Sequence, residues 1–275
     1  MDKELVEIND ILYNKSPSIV YQNDNDMDTL QGIEESREKW NVYSYNGTPV
    51  PRMTEILKEC IGKEYLISYA LRCKNYYEES NRVLFIGTTV HEMIDEFLLH
   101  GESEFKDNLY TNEDVFRKVY KAYNNFVRWY NDKIAEGYKI EVLEIEKSIV
   151  CPWFGGTIDC IMKITPPNSD KSYNYIVDFK TSSKIASDYL IQTYGYMWAV
   201  NWYNQFIDNT TYPWIDGIGV IRVDKKSKSY NDIFLRADKD YDQFNNIVNI
   251  HNGFVHCLNW FYYQKNLEWI IKSNK

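Results

Sequence analysis

The segment YNYIVDFKTSS, residues 173–183, sets an acid and a lysine one residue apart at the end of an apolar run. Tyr175, Ile176 and Val177 are aromatic or β-branched and predict a buried strand. Alternation places Asp178 and Lys180 on one face of that strand and Phe179 on the other. As a bare ion pair, Asp178–Lys180 is worth little at a surface and is net costly when buried. A catalytic use asks for more. The carboxylate would hold a metal, the lysine would position water or neutralise developing charge, and further ligands must lie elsewhere in the chain.

Four other places carry suitable groups. His91 lies in GTTVHEMIDEF, where a helix would set Gly87, His91 and Asp95 at i, i+4 and i+8 on one face. A lone helical histidine is more often a satisfied surface or core group. HEMID also departs from the zinc-protease pattern HExxH, since Asp95 stands where the second imidazole is needed. Asp159 lies in GGTIDC; Ile158 and Cys160 would point away from it, so it can face the same side as Asp178 on a neighbouring strand. The bland alternative is a Gly-Gly bulge with an exposed carboxylate. Gln192 and Tyr196 in QTYGY fall at i, i+4 on the next helix, a spacing that alone suits packing equally well. Glu146 in EVLEIEKSIV is either a further acid behind the ligands or a solvent-facing position. Arg72, Lys74, Arg82 and Lys184 offer phosphate contacts or solvated helix charge. Tyr76 and Tyr77 offer base stacking, in a chain that has 24 tyrosines.

These groups need elements to hold them. Residues 2–13 predict a short helix, followed by polar linker to about residue 40. Asn46-Gly47, inside WNVYSYNGTPVPRM, predicts a small hairpin, and Thr54 is a plausible N-cap for a helix beginning EILKE. Helical patterning resumes over residues 64–80. Val90, Met93, Ile94, Phe97 and Leu98 predict a helix over about 88–99. Another covers about 113–136 and stops at Gly137. The pattern then switches to period two. YKIEVLEIEKSIV, WFGGTIDCIMKI and NYIVDFK predict an antiparallel meander, with PPNSDKS linking the second strand to the third. A helix follows over about 187–206, then strands in WIDGIGVIRVD and YNDIFLRA, then helix over about 240–271. This order predicts α+β or α/β with a mixed sheet. The first 40 residues form an acidic, partly mobile segment, and residues 41–275 one domain.

The bulk composition fits that plan. The 275 residues are 44% hydrophobic and 16% aromatic, and mean hydropathy is -0.52. No apolar run approaches the roughly 20 residues of a membrane span, and the N-terminus shows no signal-like pattern, so a soluble, cytoplasmic protein without a membrane partner is expected. Cys60, Cys73, Cys151, Cys160 and Cys257 are scattered and contain no CxxC pair. That argues against a disulfide framework, a zinc ribbon or an iron–sulfur cluster. The net charge of -9 counts against a nucleic-acid partner only if the charge is evenly spread. Much of the acidity is in NDNDMD and IEESRE near the N-terminus.

His91, the GxxD of Gly156–Asp159, the DxK of Asp178–Lys180 and the QxxxY of Gln192–Tyr196 form an ordered set. It resembles the RecB-like, phage-type exonuclease branch of the PD-(D/E)XK nuclease superfamily, over about residues 50–200. VPRMTEILKE also resembles the PSVTxIL lead-in of many phage exonucleases, with Arg52 and Met53 replacing Ser and Val. The resemblance implies an α/β restriction-endonuclease-like core, a mixed central sheet flanked by helices. It implies Mg²⁺ or Mn²⁺ held by His91, Asp159 and Asp178, with an oxygen from the Phe179 carbonyl. Lys180 would orient or deprotonate the water, or stabilise charge at phosphorus. Gln192 and Tyr196, with Lys184 and Arg82, would contact the DNA backbone or support Lys180. The implied function is a metal-dependent DNase, an exonuclease in recombination, repair or phage DNA processing. A restriction enzyme would need an added recognition domain, for which the chain has little room. The alternative of another class is a non-catalytic nucleic-acid-binding or assembly protein on a decayed nuclease fold.

Overall fold

The computed structural model describes residues 43–61, 75–105, 112–238 and 242–273, with side chains to residue 268. The acidic N-terminal segment with its expected helix, and Arg72 and Lys74, lie outside the described residues. Strands β1 (Tyr43–Tyr45) and β2 (Thr48–Val50) form the expected hairpin. Its turn residues Asn46 and Gly47 both have positive φ, 48° and 78°, the conformation that Asn-Gly accepts most readily. Helix α1 (Met53–Cys60) starts one residue before Thr54, and Arg52 takes the capping position. The Glu55 carboxylate accepts the Arg52 amide at 2.9 Å, so no threonine hydroxyl is required there.

Helix α2 (Tyr76–His100) begins well before the expected residue 88 and ends at Gly101, φ 81°. Helix α3 (Glu113–Ala135) is capped by Asn112, whose side chain accepts the Val115 amide at 3.1 Å. It ends before Gly137, φ 94°. Its buried Val115, Val119, Ala122, Phe126 and Trp129 recur at helical spacing.

Strands β3 (Lys139–Val150), β4 (Gly155–Thr165) and β5 (Tyr173–Lys180) form the antiparallel meander. Helix α4 (Ser187–Phe206) then crosses over to β6 (Gly217–Val223), which pairs parallel to β5. A parallel neighbour needs such a crossover. Strand β7 (Tyr230–Arg236) pairs antiparallel to β6, and α5 (Phe244–Ser273) closes the chain. The result is one mixed sheet in the order β3-β4-β5-β6-β7, with helices on both faces, the α/β architecture the sequence predicts. One core layer joins α1, α4 and α5 to the sheet through Met53, Ile158, Ile176, Trp198, Ile218 and Phe254. The other joins α2 and α3 through Val90, Phe126, Cys160, Val177, Phe179 and Ile221. Strand β6 is buried along its whole length, as a strand covered on both faces must be.

Candidate active site

Strand β5 carries Asp178 and Lys180 to the end of the sheet where β5 and β6 both finish. Val177 and Phe179 pack in the α2/α3 layer, so Asp178 and Lys180 point to the α4 side. Asp178 is only 2% exposed. The Lys180 ammonium lies 2.7 Å from its Oδ1 and 2.6 Å from its Oδ2. It also sits 5.1 Å from the centroid of the Tyr189 ring on α4, within reach of a cation–π attraction. Burial pushes the Asp178 carboxyl up to about 7, with Lys180 opposing and Asp159 adding to the rise. Burial alone would lower the Lys180 ammonium, but Asp178 and Asp159 raise it overall.

Asp159 departs from the expected alternation. Ile158 packs with the α4/α5 layer and Cys160 with the α2/α3 layer, although a regular strand would set both on one face. Pairing of β4 with β5 starts at Cys160–Val177, and Asp159 lies just beyond it. Asp159 therefore sits at a seam between the two faces instead of simply sharing the face of Asp178. Its Oδ2 accepts the Phe179 amide at 2.9 Å and stands 3.5 Å from His91 Nδ1 on α2. Burial lowers the His91 imidazole, Asp159 opposes, Lys180 adds to the lowering, and a hydrogen bond to the Phe179 backbone opposes it. The ring is thus kept neutral, the form that donates a lone pair to a metal.

Glu146 completes this side. The β3–β4 ladder pairs Ile145 with Cys160 and Lys147 with Ile158, skipping the residues between. Glu146 has φ 49°, a left-handed conformation that costs a non-glycine residue about 1–2 kcal/mol. One ligand atom each from His91, Glu146 and Asp159 lies within 4.8 Å of the others. Of the residues expected to hold a metal, His91 and Asp159 meet here. Glu146 joins these two, and Asp178 stands beside them against Lys180. Burial and Asp159 together push the Glu146 carboxyl up. Asp95, one turn on from His91, is pushed up to about 7 by burial, then by Glu146 and Asp159. Its Oδ1 is buried with no hydrogen-bond partner among the described residues. An imidazole among crowded carboxylates, two of them displaced upward, with one orphaned oxygen, fits a divalent cation.

Helix α4 forms the other wall. Gln192 Nε2 donates to the Tyr196 hydroxyl at 3.3 Å, and burial raises that hydroxyl. A Cβ on Gly156 would meet Tyr196 Cε1 at 2.4 Å and its oxygen at 2.6 Å, so the GxxD glycine makes room for the QxxxY tyrosine. Hairpin β1–β2 fixes the start of β4 through the Gly155 amide to the Pro51 carbonyl, 2.9 Å, and Tyr43 to Thr157, 3.0 Å.

The remaining candidates fall outside this cluster. Arg82 is bound to Asp114 at 2.6 Å and lies 3.5 Å from Glu79, tying α2 to α3. Lys184 is exposed in the loop after β5. Tyr76 and Tyr77 stack edge to face at 5.7 Å at the start of α2. Asp95 and Tyr189 were legible but unused. Asp95 follows His91 by one helical turn, and Tyr189, Gln192 and Tyr196 share one stripe of α4.

No protein-family model matches the chain, and no curated protein matches it. Among solved structures, a phage related exonuclease from Haemophilus somnus 129PT is similar at 14% identity, over 82% of this chain and 96% of that one, with TM-score 0.31. A protein named SSO0001 is similar at 11% identity, over 84% of each chain, with TM-score 0.27. Overlays this loose assign no function.

Proposed function

We propose that this chain is a divalent-metal-dependent nuclease that hydrolyses phosphodiester bonds in DNA, acting as an exonuclease in recombination, repair or phage DNA processing. The observation that carries the reading is the meeting of His91, Glu146 and Asp159 beside the buried Asp178–Lys180 pair. His91, Glu146 and Asp159 would hold the ion, bordered by Asp178 and the Phe179 backbone. Such an ion supplies a more acidic water and positive charge for phosphate oxygens. The imidazole favours Mn²⁺ over an all-oxygen Mg²⁺ shell. The chain's own residues set the stage for attack. Asp178 and the Tyr189 ring hold the Lys180 ammonium in place, so its charge is ready where negative charge develops on the phosphate. Gln192 and Tyr196 brace the α4 side of the site.

The test is cleavage of end-labelled single- and double-stranded DNA and of a closed circle, with Mg²⁺, Mn²⁺ or EDTA. Degradation of the linear substrates with metal alone supports the reading. Lys180→Ala should lower turnover roughly 10²-fold or more while the fold persists, the scale of one lost transition-state contact. Equal rates with and without metal, or an undiminished Lys180→Ala, would overturn it.

A further inference from the structure

A positively charged surface stands apart from the candidate site in a chain of net charge -9. It is built where β6 ends. Arg222 pairs in register with Lys180, and its Nε donates to the Ser182 carbonyl at 2.8 Å. The β6–β7 turn, DKKSKS over residues 224–229, therefore leaves the sheet at the same end to which β5 brings Lys180. Strand geometry puts the tip of this turn roughly 10–15 Å from Lys180.

The turn is fastened rather than loose. The Asp224 carboxylate accepts the Lys226 and Ser227 amides at 2.6 and 2.9 Å. Asn125 on α3 donates to the Asp224 and Ser227 carbonyls at 2.7 and 2.9 Å. Lys121 donates to the Lys226 carbonyl at 2.9 Å. Between turn and helix runs a groove of about 570 Å³, lined by Lys121, Asn124, Asn125, Arg128, Asn131 and Lys228 among others. Burial lowers the Lys225 ammonium, Lys118 and Lys226 add to the lowering, and Asp224 and Glu79 oppose it. Among the described residues, Lys121, Arg128, Lys225, Lys226 and Lys228 make no ion pair with a carboxylate. The Asp224 carboxylate in the same turn is already paired with Arg222, so these cations exceed the local counter-charge, and an incoming anion relieves their mutual repulsion.

We propose that this α3 and β6–β7 surface is a docking platform for the phosphate backbone of the DNA that the candidate site would cut. The identity of the ligand rests on the nuclease reading. The spacing suits a backbone engaged about three to four steps from the scissile phosphate, at 3.4 Å per step. Amide and ammonium donors without base-reading geometry give positioning, not sequence choice.

The experiment uses the full chain with Ca²⁺ and a labelled 20-base-pair duplex, and reads Kd by fluorescence anisotropy from 50 to 200 mM salt. Lys121→Ala/Lys226→Ala/Lys228→Ala should flatten the slope of log Kd against log salt by about 2.7, or 0.9 per lost contact. Wild type should then lose about 40-fold more affinity over that range than the variant. Lys139→Ala/Lys163→Ala/Lys171→Ala, an equal charge change at the far end of the sheet, should leave the slope unchanged. Lys226→Glu, at one exposed turn residue, gives the same reading should the triple variant misfold. An unchanged slope in the patch variants, or an equal loss in the far-end variant, overturns the platform. Patch-dependent binding without metal-dependent cleavage keeps the platform and removes the nuclease reading. Cleavage with patch-independent binding removes the platform alone.

Discussion

Replacing Gly156 with alanine tests how two of the sequence motifs meet in space. Gly156 does not have positive φ, so its backbone is open to alanine. Without any clash, Gly156→Ala should stabilise by about 0.4–1 kcal/mol through the unfolded chain. The structure reverses that sign. The new methyl would stand 2.4 Å from Tyr196 Cε1, about 1 Å inside ordinary contact. Tyr196 is 4% exposed and packed within the α1/α4/α5 layer, so its ring has little room to withdraw. Overpacking of this kind costs about 1–3 kcal/mol, and the buried ring argues for the upper end. For a chain of this size, that lowers Tm by roughly 2–5 °C. A double-mutant cycle isolates the contact. Tyr196→Ala alone should cost about 3–5 kcal/mol, but in its presence Gly156→Ala should cost almost nothing, giving a coupling of at least about 1 kcal/mol. Urea and thermal melts of the four proteins measure it. A Gly156→Ala protein as stable as wild type, or additive losses in the cycle, would refute the link between GxxD and QxxxY.

Two further outcomes follow from the carboxylates. Glu146→Gly removes a proposed ligand but relieves the left-handed strain, so it should weaken Mn²⁺ binding about 10-fold or more without destabilising the metal-free protein. Calorimetry and thermal melts read both halves, and unchanged Mn²⁺ affinity refutes the place of Glu146 in the site. Asp178 and Asp95 are both raised to about 7, above their unfolded value, so the folded metal-free chain binds more protons than the unfolded one between about pH 4 and 7. Their contribution to stability in EDTA should fall as pH rises through that window, while Mn²⁺ affinity should climb as the same groups ionise. Thermal melts of the metal-free protein and of the Asp95→Asn variant from pH 5 to 8 test the sign, and an identical pH dependence in both removes Asp95 from the effect.

The sequence was most readable where local rules dominate. Asn46-Gly47 marked the hairpin, Gly137 the end of α3, and period-two alternation the three meander strands, because each feature is decided by neighbours a few residues away. Helix α2 runs unbroken through residues 81–87, between two stretches the periodicity marks as helical, since exposed Val83, Leu84 and Phe85 blur the apolar stripe there. Asp178 and Lys180 shared a face as foreseen. Asp159 did not follow its flanking residues, and no period-two count reveals a strand that changes sides between Ile158 and Cys160. Glu146 stays ambiguous in the sequence because a positive φ in a strand has no signature in glutamate. Arg82 is engaged by Asp114, a pairing that its place in the sequence does not show. Lys121 and Lys226 meet only because α3 and the β6–β7 turn are joined through the fold.

The break at Asp159 also explains why the site needs both helical layers. A carboxylate turned squarely to the α4 face would lie away from His91 on α2. Asp159 reaches His91 on α2 directly and is bound to the Phe179 amide of β5, whose neighbours Asp178 and Lys180 face α4. The antiparallel ladder between β4 and β5 must end at Cys160 for this to happen, because a further ladder bond would claim the Phe179 amide or hold Asp159 to the sheet plane. His91 on α2 and the lysine supported by α4 are therefore positioned by one side chain and one freed amide. Each layer's packing then becomes part of the site's geometry, and a core change in either, such as at Phe126 or Trp198, acts on the distance between His91 and Lys180 without touching them.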